Sequence, residues 1–417
     1  MMNDLWILIG GVLVLIGLVT SESLLLIVGS MVVLIWLATK IWNRYAFRRV
    51  SHSRYLNRSR AFIGDTVEYS VTLRNDKLLP LIWVDIHDTF PEVLDLPGAG
   101  IQPNPMEGTR RHTITTSLLP FQQVTWKYTL VCNTSGYHRI GPARVRSGDI
   151  FGFSSGEARF DQMSHLLVYP RVVELEQLNI PAENPLGESK GRRPLIRDTT
   201  RFAGQRDYQN TDPMKLIDWK ASARASRLQT KLFEPVVSLN VLVALNATTS
   251  EQPWQTSNRR LFERAVTVAA SIASYASRRG YTFGLVSNAV ATFSARYISV
   301  PLGASPSQIT LVLEALATTG PFTMTSLASV LRDGGRSLPP GSTVVLVTSA
   351  LTEAVAAEIQ EMQGRGYHVV VVYSGDSQSA QGMPGLDIPG LEIPGVQIHH
   401  VGDALDALEK DESVLAS

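Results

Sequence analysis

Two uncharged apolar runs, Leu5 to Val19 and Leu24 to Ala38, sit on either side of Thr20-Ser-Glu-Ser23 and constrain this chain more than any other feature. A helix needs about 20 apolar residues to cross the roughly 30 Å hydrocarbon core of a bilayer, and each run reaches that length only with its flanks included. The pair is expected to form a tight transmembrane helical hairpin over residues 1–42, with little tilt. Lys40, Arg44, Arg48, Arg49, Arg54, Arg58 and Arg60 follow the second run, and residues 43–61 read as a basic juxtamembrane segment. By the positive-inside tendency these charges would hold the rest of the chain in the cytoplasm, with Trp6, Trp36 and Trp42 at the interface. Gly10, Gly11, Gly17, Gly29 and Ser30 would let the two helices approach closely. A cleaved signal peptide is the competing reading. Asp4 stands where such a peptide carries a basic cluster, and no small-residue cleavage site follows the first run.

The 417 residues suffice for an anchor and two soluble domains, and a hydrophobic content of 44% supports real cores. With 38 basic against 37 acidic residues there is no global field to steer a polyanion, which argues against nucleic acid. The single Cys132 excludes an internal disulfide and a cysteine-cluster zinc site.

Over residues 62–171 the apolar period is two: Val67, Tyr69, Val71 and Leu73 alternate with polar neighbours, as do Val124, Trp126, Tyr128 and Leu130. Turn residues at Asn75-Asp76, Pro97-Gly98, Gly136 and Gly141-Pro142 space these strands, and the expectation is an antiparallel β-sandwich of immunoglobulin-like type. Residues 172–236 read as a connector, rich in Pro, Gly and charge at its start. Residues 237–410 change to near-continuous apolar strands, Val241 to Leu245, Phe283 to Val286, Val344 to Val347 and Val369 to Tyr373. Helical stretches Asn258 to Arg279, Pro306 to Ala317 and Leu351 to Gly364 alternate with them, predicting a doubly wound α/β domain around a parallel sheet, followed by a tail over 411–417. Near its end three pentads, beginning at Pro384, Pro389 and Pro394, read as a duplicated surface loop. A strand around Val396 to Val401 and a helix Ala404 to Lys410 close the domain.

Within the connector, Arg206, Tyr208, Asp212, Asp218, Trp219, Lys220 and Arg224 crowd guanidinium forks, carboxylates and aromatic faces into one segment without an amphipathic period. These are the ingredients of a charge-assisted network that orders a loop. Two uses compete. Trp219 could pack in the core while Arg206, Asp212, Asp218 and Arg224 pin the connector to the α/β domain, or the same residues could present a surface to a protein partner.

Gly204, Arg206, Tyr208, Asp212, Ile217, Asp218, Trp219, Lys220, Ala223 and Arg224 resemble the signature of a widespread prokaryotic family, domain of unknown function fifty-eight, with Thr211-Asp212 where many members have Gly-Asp. The resemblance implies a membrane-anchored chain with a von Willebrand factor type A-like domain after the signature. It also implies a partner, a MoxR-type AAA+ ATPase, and residence in the prokaryotic cell membrane as a multi-pass protein with cytoplasmic soluble domains.

Type A domains carry Asp-x-Ser-x-Ser for a divalent metal after the first strand; here Asn246 replaces the Asp, Thr248 the first Ser, and Ser250 remains. Ser349 stands where metal-binding relatives have a second Asp. A hard cation wants anionic oxygen, so the expectation is a degenerate site with no metal and no cofactor. The alternative is a divalent-metal-dependent ligand-binding module using Thr248, Ser250 and a hydroxyl from Thr323 or Thr325. A serine hydrolase is the third reading, because Gly152-Phe-Ser-Ser-Gly156 matches the nucleophile-elbow pattern at Ser154, yet that elbow needs a parallel strand before the Ser and a helix after it. His399 and His400 are adjacent, face opposite sides of a strand and cannot share a metal. The sequence thus predicts a non-enzymatic, membrane-anchored scaffold or adaptor that engages a protein partner, with lipid contact through its hairpin.

Overall fold

The computed structural model describes residues 3–98, 100–104, 108–149, 155–181, 186, 197–209, 214–235, 239–249, 258–292, 294–323, 325–375 and 396–415. The chain divides into two compact units, Met1–Arg171 and Val172–Ser417. It is a mixed α/β protein of several sheets.

Helices α1 (Asn3–Thr20) and α2 (Ser23–Ala46) follow the two apolar runs. Among the described residues α2 alone is long and apolar enough to cross a membrane, while α1 holds a shorter apolar stretch, Leu5–Thr20. The expected two-span hairpin is therefore one candidate span with a shorter apolar helix packed on it. The packing is close: a Cβ added at Gly17 would lie 2.8 Å from the backbone N of Leu26, and one at Gly29 only 2.7 Å from that of Val14. Gly11, grouped with them on sequence, faces nothing within 4 Å. α2 also outruns its apolar stretch and ends with Ala46, 0% exposed, in the core of the strands that follow, with Trp42 and Phe47 packed against the same core.

Those strands are β1 (Val50–Leu56), β2 (Arg60–Phe62), β3 (Thr66–Asn75), β4 (Leu81–Pro91), β5 (Ile101–Pro103), β6 (Thr109–Leu118), β7 (Gln123–Val131), β8 (Gly136–Ile140), β9 (Ala143–Gly148), β10 (Ser155–Phe160) and β11 (Ser164–Tyr169). β1, β3 and β7 form one sheet, β10, β9, β4, β6 and β5 a second, and β2, β11 and β8 a third. All neighbours are antiparallel except β2 and β11. The period-two set Val67, Tyr69, Val71 and Leu73 is fully buried, as alternation on a half-covered strand requires.

Two corrections concern the segment read as juxtamembrane. β1 and β2 are integral strands, so the β unit starts at Val50. Arg54, counted among the topological charges, is buried on β1, and its guanidinium donates to the carbonyls of Ile140 and Gln162. Its Nε lies 3.3 Å from Asp88, which also accepts the Tyr69 hydroxyl. A buried guanidinium survives only with such partners. Burial pushes the Asp88 carboxyl above its ordinary range while Arg54 pulls it back.

In the second unit β12 (Arg197–Asp207) and β13 (Gln229–Pro235) form a two-stranded antiparallel sheet, with helix α3 (Trp219–Ala225) between them in sequence. The main sheet uses β14 (Asn240–Leu245), β15 (Thr282–Ala291), β16 (Ser294–Gly303), β17 (Thr319–Thr323), β18 (Thr343–Thr348), β19 (His368–Tyr373) and β20 (Gln397–His400). Its order is β16-β15-β14-β18-β19-β20, with β17 also paired to β15. β15, β14, β18, β19 and β20 run parallel, as predicted, but β16 and β17 run antiparallel to β15, so the sheet is mixed. β15 runs on past Val286 because its end pairs with β16 and β17.

Helices α4 (Arg259–Arg278), α5 (Gln308–Ala317), α6 (Leu327–Gly335), α7 (Glu353–Gly364) and α8 (Gly402–Leu415) accompany this sheet. Leu331, Ile359 and Met362 of α6 and α7 pack against Leu242, Val344 and Val371. Asn258 caps α4, accepting from the backbone N of Arg260 at 3.0 Å and of Leu261 at 3.3 Å. Arg264 of α4, 3% exposed, holds α8 through Glu409 at 2.6 Å and through Asp406. The Pro-Gly pentads lie largely outside the described residues, which resume at Val396.

Two outcomes follow from the first unit. Gly29→Leu is expected to separate α1 from α2, whereas Gly11→Leu leaves them paired; cysteine crosslinking between the helices reads the difference. Burial pushes His52 down to about 4, with Arg54 adding to it, and burial pushes His112 down to about 4. Both rings stay neutral in the folded unit while the unfolded chain takes up protons below about 6.5. Stability should thus be level above pH ~6.5 and fall toward pH ~4, by ~2–3 kcal/mol per ring. Urea unfolding of the full chain in micelles at several pH values measures this, and a flat profile contradicts it.

Candidate functional site

The signature segment folds as a short helix stapled to a hairpin. β12 and β13 pair Gln205 with Lys231, Arg206 with Thr230 and Asp207 with Gln229. Asp218 caps α3, its Oδ1 accepting from the backbone N of Lys220 and of Ala221 at 3.1 Å each, and its Oδ2 accepting from Gln205 Nε2 at 3.2 Å. The backbone N of Asp218 donates to Gln229 O at 2.8 Å, and Ser222 Oγ accepts from Gln229 N at 2.8 Å. A seven-residue helix does not persist alone in water; these bonds hold it.

Capping at Asp218 sets which residues face inward. Leu216 and Ile217 are buried, at 9% and 5% exposure, and Ser222 is buried against β13. Trp219, one candidate for the core on sequence, is 67% exposed and opens the helix toward solvent, and Met214 on the preceding turn is 73% exposed. Arg206 and Tyr208 are half-buried, with Tyr208 N donating to Leu228 O at 2.9 Å. Asp212 lies outside the described residues.

Lys220, Arg224 and Arg227 line a cavity of about 390 Å³ together with Gln205, Asp218 and Gln229. Asp207 takes Arg227 Nη1 at 3.1 Å and Gln229 Nε2 at 2.5 Å. Sequence reading missed Asp207, Ser222, Arg227 and Gln229. The spacing of Lys220 and Arg224, four residues apart within α3, was a usable signal of one shared face.

At the carboxyl ends of β14 and β18 the expected metal positions form a neutral network. Asn246 is 2% exposed. Its Nδ2 donates to Thr348 Oγ1 at 3.0 Å and to Ala350 O at 3.2 Å, and its Oδ1 accepts from Thr248 N at 3.1 Å and from Asn288 Nδ2 at 3.2 Å. Asn288, on β15, also donates to Thr248 Oγ1 at 3.3 Å and accepts from Ala247 N at 2.8 Å. Ser349 is buried beside it, its Oγ without a hydrogen-bond partner among the described residues. Thr325 pairs with Ser329 at 2.7 Å, and Ser250 lies outside the described residues. This set does not fit a hard cation: the amide at Asn246 points donors where a carboxylate would offer acceptors. Among the described residues no three His, Cys, Asp or Glu side chains converge on a metal position. Ser154 also lies outside the described residues; the segment after it is β10, antiparallel to β9, where a nucleophile elbow needs a helix.

Residues 204–384, running from the signature through the strand ends and beyond, match the family model described as Protein of unknown function DUF58. Over that segment the chain is similar to the DUF58 family. Uncharacterized protein YeaD of Bacillus subtilis (strain 168) is 30% identical over 246 residues, which cover 58% of this chain. The chain spans 57% of that relative's length. Among solved structures, a cohesin module from a Clostridium perfringens ATCC13124 family 33 glycoside hydrolase is 12% identical, covering 28% of this chain and 96% of its own at a TM-score of 0.21. The sporulation control protein Spo0M of Bacillus subtilis is 14% identical, covering 29% and 49% at a TM-score of 0.17. Likeness at that level assigns neither fold nor function to this chain.

Asn246→Asp should destabilise the DUF58 segment by ~2–3 kcal/mol at neutral pH, because a buried carboxylate would face the Ala350 carbonyl without a donor between them. Thermal melts of the full chain with and without magnesium test it. Full recovery on adding magnesium would show that the mouth can be a metal site after all.

Proposed function

We propose that this chain is a non-enzymatic, membrane-anchored adaptor whose DUF58 segment engages a protein partner through the signature surface. The carrying observation is Trp219, 67% exposed on a helix that Asp218 holds in place. A large aromatic side chain kept in water on a fixed support is what a binding hot spot looks like before its partner arrives. The partner class is the one the signature resemblance implies, a MoxR-type AAA+ ATPase.

In this reading α1 and α2 form the anchor, and the basic residues that remain exposed after α2, Arg48, Arg49, Arg58 and Arg60, keep both soluble units in the cytoplasm. The β unit serves as an immunoglobulin-like sandwich. The mixed sheet serves as a von Willebrand type A-like domain that has exchanged its metal for the Asn246–Asn288 network.

A crosslinked pull-down from native membranes tests the proposal with Trp219→Ala, which removes an exposed side chain and should leave the melting temperature unchanged. An AAA+ ATPase is expected with the parent chain and reduced roughly tenfold or more with the variant. Equal recovery from both would sink the surface, and recovery from neither would sink the adaptor.

A further inference from the structure

We infer that the cavity lined by Lys220 and Arg224 receives the carboxylates of an acidic, apolar-dotted segment of a protein partner. The inference rests on the partner-binding reading of the same surface and adds the chemistry of what binds there.

The charges around the cavity are unequally committed. Asp218 is occupied by two backbone N–H groups and by Gln205. Asp207 is occupied by Arg227 and Gln229. Lys220 and Arg224, both exposed, have no ion pair or side-chain hydrogen bond among the described residues, although they line the same cavity. Like charges four apart on a helix repel, so placing two of them on a seven-residue helix works against that helix. An incoming anion removes that repulsion.

The surroundings select the kind of anion. Two uncommitted cations make a spot, while a nucleic acid needs an extended basic track. Trp219 and Leu228, at 67% and 45% exposure, place apolar surface before and after the two cations in sequence. Carboxylates spaced by apolar side chains match that alternation. A guanidinium beside an ammonium can take one bidentate and one single-point carboxylate.

Fluorescence anisotropy on the full chain in micelles tests this with a labelled peptide alternating Glu and Leu, a Lys and Leu counterpart, and an oligothymidylate of equal charge. The acidic peptide alone should bind, more weakly as salt rises, and roughly tenfold or more weakly to Lys220→Gln/Arg224→Gln. Lys220→Glu/Arg224→Glu should reverse the preference toward the Lys peptide. Thermal melts confirm that each variant is folded. Acidic-peptide binding that the neutral pair leaves unchanged, failure of that peptide to bind the parent chain, or equal binding of the oligothymidylate overturns the inference. Peptide binding without any ATPase in the pull-down removes the adaptor's named partner and leaves the pocket; an ATPase captured through Trp219 without peptide binding removes the pocket assignment alone.

Discussion

The carboxylate of Asp218 decides the arrangement of the whole signature surface. It satisfies two of the backbone donors that α3 would leave bare and takes an amide donor from β12, so one side chain joins the start of the helix to the hairpin. Caps of this kind are worth about 1 kcal/mol, a large share of what a helix of two turns has to stand on. Fixing the cap also fixes the rotation of the helix. Ser222 then meets β13, and Trp219 and Lys220 have nowhere to go but outward.

Much of the fold was legible because burial leaves a period in the sequence. Tyr69 and its alternating neighbours announced β3, the run around Val243 announced a strand covered on both faces, and Asn258 marked where α4 begins. The losses are equally physical. Arg54 read as a topological charge because a sequence shows the charge and not Asp88 across the unit or the carbonyls that receive it. α6 escaped because it is short, and β16 and β17 because their pairing with β15 depends on a hairpin and a return that no local period encodes. At the candidate site Asp218, Trp219, Lys220 and Arg224 were singled out while Asp207, Ser222, Arg227 and Gln229 were not, and the side on which Trp219 lies was open until the cap set the helix rotation.

The strand mouth shows the same gap between identity and arrangement. Asn246 and Ser349 were visible as departures from a metal site, whereas Asn288 carried no signal, standing with Ser287 within a largely apolar strand. In the fold its amide meets that of Asn246, and the two exchange donors and acceptors with Thr248, Thr348 and the backbone. Neutral groups that satisfy one another can be buried where a lone carboxylate cannot.

α2 runs without a break from Ser23 to Ala46, and Ala46 at its end is buried in the core of the β unit, with Trp42 and Phe47 packed against that core. A shaft mounted this way has no swivel. Turning it about its own axis would have to drag large side chains through a core with no spare room. A rotation or tilt of the apolar helix is therefore felt first at the strands that pack on Ala46, Trp42 and Phe47, as a weathervane feels its spindle.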